Sequence, residues 1–126
     1  MKTNNYKKGD LKLLKCRRKI EKYNKELADY VLMTESNEVP DIDSTVIGTS
    51  PMQSIEIKET KNGFKYSDDG DWWQSISIEF EDGEFWVDGE DELDDMLRYN
   101  RRRIRKGIRV WKSENPDAEM EKDDDD

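Results

Sequence analysis

The first third of the chain carries hydrophobic residues at helical spacing. Leu13, Cys16, Ile20, Tyr23, Leu27 and Tyr30 follow one another at intervals of three and four residues. This spacing places them on one stripe of a cylinder, with most of the lysines and arginines elsewhere, so it predicts a helix from about Asp10 to Met33. The stripe either packs against its own domain or, as a short coiled coil, joins two copies of the chain.

Residues 34–54 lose this periodicity. They are rich in Ser, Thr, Asn and Asp and include Pro40 and Pro51, each of which disfavours helix at the preceding residue. We therefore expect a mobile polar linker over residues 34–54. Within it, we expect Val46 and Ile47 to dock on the folded body.

The middle of the chain alternates between apolar and polar residues, as half-buried strands do. Ile55 and Ile57 alternate with charged neighbours and form the first predicted strand. Asn62-Gly63 is the dipeptide typical of a type I′ hairpin turn, and a second strand follows over residues 64–66.

A second hairpin is predicted next. Residues 72–80 alternate, with Ile76, Ile78 and Phe80 on one face and Ser75, Ser77 and Glu79 on the other. Glu81-Asp82-Gly83 then turns the chain into a strand over residues 84–87. Trp72 and Trp73 are adjacent on the first of these strands, so we expect one to face the core and the other to face outward, where an exposed Trp favours an interface.

The last helix is predicted from about Glu90 to Ser113. One of its faces carries Leu93, Leu97, Ile104, Ile108 and Trp111. Acids crowd its first turns and arginines its last turns, which suits the helix dipole, and Asp88 or Asp91 is expected to cap its start. Gly107 weakens the helix by about 1 kcal/mol relative to Ala, a cost that indicates close packing.

These elements predict an α+β fold. An N-terminal helix, a polar linker, a four-stranded antiparallel meander and a C-terminal helix follow one another, with both helices on one face of the sheet. A single domain spans residues 10–113. We expect residues 1–9 to be flexible and residues 114–126, which end in four aspartates, to form a disordered acidic tail.

Charge is sorted into four blocks along the chain. Residues 1–28 carry ten basic residues against three acids, and residues 29–97 carry three lysines against twenty acids. Residues 98–112 have eight basic residues and no acid, and residues 113–126 have eight acids against one lysine. With a net charge of -9, the chain either neutralises itself on folding or presents surfaces of a single sign to a charged partner.

The residue types give little support to catalysis. The chain contains no His, which removes the commonest general base, and its single cysteine, Cys16, falls on the apolar stripe. The acidic turns at residues 68–71 and 88–91 lack the ligand spacing of a calcium loop. We therefore expect no enzyme activity, no metal and no cofactor. Because no secretory leader or membrane-spanning stretch is visible, we expect a cytoplasmic protein, in the host cytoplasm if a phage encodes it.

The first functional hypothesis is a non-catalytic modulator that binds a basic nucleic-acid-binding protein such as a nuclease or polymerase. Carboxylates on a rigid body have the geometry to occupy a groove built for phosphates. In charge and size, though in no motif, the chain resembles the small phage and mobile-element inhibitors that mimic DNA, anti-restriction and anti-CRISPR proteins among them. The expected partner-binding residues are Glu79, Glu81, Asp82, Glu84, Asp88, Glu90, Asp91, Asp94, Trp72 and Trp73.

The second hypothesis is a nucleic-acid-binding accessory protein that uses the arginine-rich helix. Its binding residues would be Arg98, Arg101, Arg102, Arg105 and Arg109, joined by Arg103 and Lys106, with Trp72, Trp73 or Trp86 stacking on bases. The segment from Lys2 to Lys25 is the alternative surface for binding phosphates. The net charge of -9 argues against this hypothesis, because acidic segments repel a polyanion unless the two signs lie on opposite faces. A third hypothesis is a homodimeric scaffold joined through the stripe from Leu13 to Tyr30.

Overall fold

The structure is a computed structural model that describes residues 2–42 and 48–117, and for residues 2–8 it describes the backbone alone. In chain order the elements are α1 (Lys2–Thr34), β1 (Glu38–Pro40), β2 (Thr49–Pro51), β3 (Glu56–Glu59), β4 (Gly63–Ser67), β5 (Gln74–Glu81), β6 (Glu84–Asp88) and α2 (Glu90–Glu114). The predicted α+β order of helix, four-stranded antiparallel sheet and helix is confirmed. Neither helix, over its described length, is apolar enough to cross a bilayer.

The main sheet has an apolar inner face and a polar outer face. β3, β4, β5 and β6 form an antiparallel meander in that order. On the inner face Phe64 lies opposite Ile76, and Ile78 lies opposite Val87. Phe64 and Ile76 are fully buried in one cluster with side chains from both helices, so α1 and α2 cover the same face of the sheet.

The apolar stripe of α1 lies inside the domain. Cys16, Ile20, Tyr23, Leu27 and Tyr30 are at most 5% exposed and belong to the core. These side chains are therefore not available to join two copies of the chain, and the first of the two alternatives for the stripe holds. The helix begins at Lys2, eight residues before the predicted start. The flexibility of residues 1–9 stays a prediction.

The segment predicted as a linker contains secondary structure. α1 continues to Thr34, and β1 pairs with β2 as a small antiparallel ribbon. Val39 and Met52 on this segment are buried in the core. The segment expected to be a polar linker therefore contains two short strands, because tertiary contacts stabilise strands too short to show a periodic pattern. Val46 and Ile47 lie outside the described residues, and the mobility of the segment stays a prediction.

The two hairpins of the main sheet use different turns. Asp82 and Gly83 have φ angles of 55° and 80°, as expected of a two-residue turn at this Asp-Gly dipeptide. Neither Asn62 nor Gly63 has a positive φ, so the type I′ turn predicted there is wrong. Gly63 is required for another reason, since a Cβ at this position would lie 1.9 Å from the carbonyl oxygen of Ile76.

α2 begins at Glu90, as predicted, but no side chain caps it. The N-cap is Gly89, with a φ of 95°, so the capping role predicted for Asp88 or Asp91 is wrong. The close packing predicted at Gly107 is confirmed. A Cβ at this residue would lie 2.7 Å from the hydroxyl oxygen of Tyr30 on α1.

Candidate partner-binding surfaces

The hairpin of β5 and β6 presents carboxylates on the outer face of the sheet. Glu81 lies opposite Glu84, and Glu79 lies opposite Trp86. Because side chains alternate along a strand and paired residues share a face, these acids and Asp88 point to the side away from both helices. We call the group formed by Glu79, Glu81, Asp82, Glu84 and Asp88 the acidic flank.

The acidic flank has no counterion among the described side chains. Among the described side chains, no Lys or Arg nitrogen lies within 4.0 Å of an oxygen of these five carboxylates. The only contact that orders one of them in this part of the chain is the hydrogen bond of 2.7 Å that the Ser77 hydroxyl donates to Glu79. All the arginines lie on the two helices. Among the described side chains, no neighbouring cation therefore offsets the negative charge of the flank, which lies on a short, tightly turned hairpin.

The acids that open α2 are divided between internal and free groups. The ammonium of Lys19 on α1 lies 2.9 Å from Asp94 and 3.6 Å from Glu90. The hydrogen bond to Asp94 raises the pKa of Lys19, which keeps this ammonium charged. Asp91, in contrast, is exposed and has no ion-pair partner among the described residues. The structure thus assigns Glu90 and Asp94 to holding the two helices together.

Trp72 and Trp73 lie in the loop before β5, not within the strand. The expectation that one of them faces the core is wrong: Trp72 is 80% exposed, and Trp73 stacks under the ammonium of Lys58, which lies 4.3 Å from the ring centroid. The Asp69 carboxylate fixes the loop by accepting bonds from the backbone N–H groups of Asp71 and Trp72. These donors hold the pKa of Asp69 below its usual range.

The loop tryptophans and the turn of the acidic flank are not brought together. They lie at opposite ends of β5, whose eight residues extend about 23 Å. Trp86 is the aromatic residue that does accompany the flank, because it lies across from Glu79 and is 44% exposed. The sequence-based hypothesis for Trp86 is stacking on bases, and it does not include a place beside the acidic flank. Its alternation with Phe85 and Val87 is the signal that places it on the outer face.

Three basic residues of the arginine-rich helix are engaged in contacts with other elements. Arg103 is 9% exposed and donates hydrogen bonds to the carbonyl oxygens of Val39 and Pro40. Lys106 donates to the carbonyl oxygen of Asp41, and Arg101 pairs with Glu26 at 2.9 Å. These groups hold the β1–β2 ribbon and α1 against α2, and the role of Arg101, Arg103 and Lys106 in binding phosphates stays a prediction.

Three of the four exposed arginines of α2 form no ion pair among the described residues. Arg102, Arg105 and Arg109 have no ion-pair partner among the described residues, while Arg98 pairs with Asp95 at 2.9 Å. Their spacing of three and four residues places all three on one stripe. We call them the arginine stripe. From Glu90 the helix rises about 18 Å to Arg102 and about 28 Å to Arg109. These distances exceed the Debye length of about 8 Å at physiological salt, so the acids that open α2 are largely screened from the arginine stripe.

The single cysteine is buried, and the acids of the described residues do not converge on one point. Cys16 is fully buried, and burial raises the pKa of its thiol. No group of three or more acid or cysteine side chains converges there as a metal ion would require. A cleft of about 460 Å³ is bridged by Arg17 and Glu59, whose charged atoms lie 2.7 Å apart. A second groove, about 320 Å³, is lined by apolar side chains of α1 and α2 such as Met33 and Ile108.

The chain matches no family model, no curated protein and no solved structure.

Proposed function

We propose that this protein is a non-catalytic modulator that uses the acidic flank to occupy the basic groove of a nucleic-acid-binding protein. The observation that carries the proposal is the absence of any cation beside these five carboxylates in the described part of the chain. Lysines and arginines of the described residues form ion pairs with several other acids, but with none of these five. Free carboxylates on a rigid hairpin present a fixed anionic pattern to a partner.

The surroundings of the flank support binding to a protein. Trp86 provides an exposed aromatic surface between the carboxylates, and Trp and Arg are the residues most enriched where interfaces are strongest. An arginine of the partner would meet both a carboxylate and an aromatic ring there. Asp91 extends the negative charge from the sheet to the first turn of α2. Steering by such a field accelerates association and makes it sensitive to salt.

A displacement assay tests this function. Purified basic nucleases, polymerases and nucleoid proteins are loaded with fluorescent duplex DNA, and the chain is added. We expect displacement from at least one of them, and we expect it to be lost when Glu79, Glu81, Asp82 and Glu84 are all changed to Lys. The matched control changes Glu21, Asp29, Glu114 and Asp117 to Lys, which alters the net charge equally at other exposed positions. Equal loss in both variants would show that net charge, and not the flank, causes the displacement.

A second candidate function is direct binding of nucleic acid through the arginine stripe. The observation in its favour is that Arg102, Arg105 and Arg109 are exposed and unpaired among the described residues, on a helix that packs on the face of the sheet opposite the acidic flank. Three phosphate contacts would lower the affinity for duplex DNA about 40-fold between 50 and 200 mM salt. A gel-shift experiment with the double variant Arg102→Glu and Arg105→Glu measures this. If the double variant retards the DNA band as strongly as the wild type does, the arginine stripe is not the binding site.

A further inference from the structure

β6 is an edge strand whose outer side is unpaired. The two-residue turn makes Glu81 and Glu84 a hydrogen-bonded pair. Hydrogen-bonded pairs alternate with non-bonded pairs along an antiparallel ladder. The backbone groups of Glu84, Trp86 and Asp88 therefore form hydrogen bonds with β5. The N–H and C=O groups of Phe85 and Val87 therefore point away from the sheet. No described residue forms a hydrogen bond with them.

The two edges of the sheet differ in their protection. β3, at the other edge, has four residues and carries Lys58 in its middle, which are two features that discourage pairing with another chain. β6 has five residues without Lys or Pro, and its unbroken one-to-one register with β5 contains no bulge. An edge of this kind is a ready template for one more strand.

Charge selects which strand can pair there. An antiparallel pairing of β6 with β6 of a second copy, centred on Trp86, would place Glu84 opposite Asp88 at both ends, and like charges directly opposite are destabilising. A strand with Lys or Arg at these positions would instead meet a carboxylate at each end of β6 and the acidic flank beside it. The edge therefore favours a basic partner over a second copy.

We propose that an extended, Lys- or Arg-rich segment of the partner adds to the sheet as a fifth strand along β6. This inference rests on the proposed function and names how the partner is held. Backbone hydrogen bonds to Phe85 and Val87 give the contact its register, and the carboxylates of the flank select positive charge. Trp86 packs against the side chains that the added strand places on the outer face.

The experiment uses the full chain and a peptide of alternating lysine and valine, eight residues long. Its control has the same sequence with every internal backbone nitrogen methylated, which keeps the charge but removes the donors. We expect the unmodified peptide to bind at least tenfold more tightly at 50 mM salt. Amide hydrogen exchange at Phe85 and Val87 should slow on binding, while exchange in β3 stays unchanged. Equal affinity of the two peptides, or unchanged exchange at both residues, would overturn the inference.

A protein variant separates this inference from the proposed function. Val87→Pro removes an N–H that points away from the sheet and leaves the hydrogen bonds to β5 in place. It should therefore lower the affinity for the unmodified peptide at least tenfold. Should this variant fail to fold, the methylated peptide and the exchange measurement on the wild type still show whether a strand adds along β6. If the four-residue charge reversal abolishes DNA displacement while the two peptides bind alike, the proposed function stands and strand addition is wrong. If the two peptides differ as expected but no basic protein releases its DNA, strand addition stands and the proposed function is wrong.

Discussion

The guanidinium of Arg103 donates a hydrogen bond of 2.9 Å to the carbonyl oxygen of Val39, which lies 64 residues earlier in the chain. A second bond of 3.1 Å reaches the carbonyl of Pro40, and a third reaches the hydroxyl of Ser50 on β2. One buried cation thus satisfies backbone oxygens of β1 and joins both strands of the ribbon to α2. This contact explains why β1 and β2 form without any periodic signal.

Replacing Arg103 by Ala should destabilise the protein by about 2–3 kcal/mol, because hydrogen bonds to charged groups are lost and buried carbonyls are left unpaired. Arg103→Lys should recover only part of this, since an ammonium cannot reproduce the planar fork. Urea unfolding measures both variants. The neighbouring Arg102→Ala is the control, because Arg102 is exposed and should change stability by less than about 0.5 kcal/mol. Equal losses at the two positions would contradict a role for the buried contact.

Gly107→Ala should destabilise the protein although alanine favours helix by about 1 kcal/mol. The added Cβ would lie 2.7 Å from the Tyr30 hydroxyl, which is held in place by a hydrogen bond of 2.8 Å to the carbonyl of Glu38. In a Tyr30→Ala background the same change should become neutral or stabilising. A double-mutant cycle followed by thermal unfolding checks this coupling. An additive cycle would show that Tyr30 is not what excludes the methyl group.

Asn24 acts as a strand partner for one residue. Its side-chain oxygen accepts a bond of 2.7 Å from the backbone N–H of Ile55, and its amide donates a bond of 3.1 Å to the carbonyl of the same residue. Asn24→Ala should cost about 1–3 kcal/mol, because both backbone groups lose their partner. Asn24→Asp keeps the acceptor and, once protonated, regains a donor. Its stability relative to the wild type should therefore improve as the pH falls through the pKa of the new carboxyl group, which urea unfolding between pH 7 and pH 4 measures.

Side chains that follow the apolar period were predictable from the sequence. The α1 stripe, both ends of α2, the alternation of β5 and the Asp82–Gly83 turn all lie where local pattern and tertiary burial agree. The burial of Arg103 also follows from helical spacing, although the residue is basic. It lies three residues after Asn100 and four before Gly107, both of which are buried, so helical spacing alone puts it on the inner face. Arg102 lies one residue away and points outward.

Other features depend on contacts that no local pattern encodes. β1 and β2 are held by Arg103, and Gly63 is required by a neighbouring strand and not by its own φ. Block charge correctly suggested that opposite signs meet in the fold, as Lys19 does with Asp94. It could not tell which acids stay free. That distinction follows from the sheet register, which places the acidic flank on the face that neither helix covers.

Stability should fall in alkaline solution because two buried tyrosines resist ionisation. Burial, followed by the charge of Glu92, raises the pKa of Tyr66 to about 12, and burial raises the pKa of Tyr23 still further. An unfolded tyrosine ionises near pH 10. Since the folded chain retains these protons longer than the unfolded chain does, their contribution is fully present below about pH 10 and is lost as the pH rises toward 12 and beyond.

The variant Tyr23→Phe isolates this effect, because the Tyr23 hydroxyl is buried and forms no hydrogen bond of normal geometry among the described residues, although the Asn100 side chain lies beside it. It should match or exceed the stability of the wild type at pH 7, since an unsatisfied hydroxyl is removed. Between pH 10 and pH 12 its urea midpoint should fall less steeply than that of the wild type. Tyr99→Phe, at a residue that is 41% exposed, is the control and should leave the slope unchanged. Parallel slopes for all three proteins would mean that Tyr23 does not contribute to the loss of stability in alkaline solution.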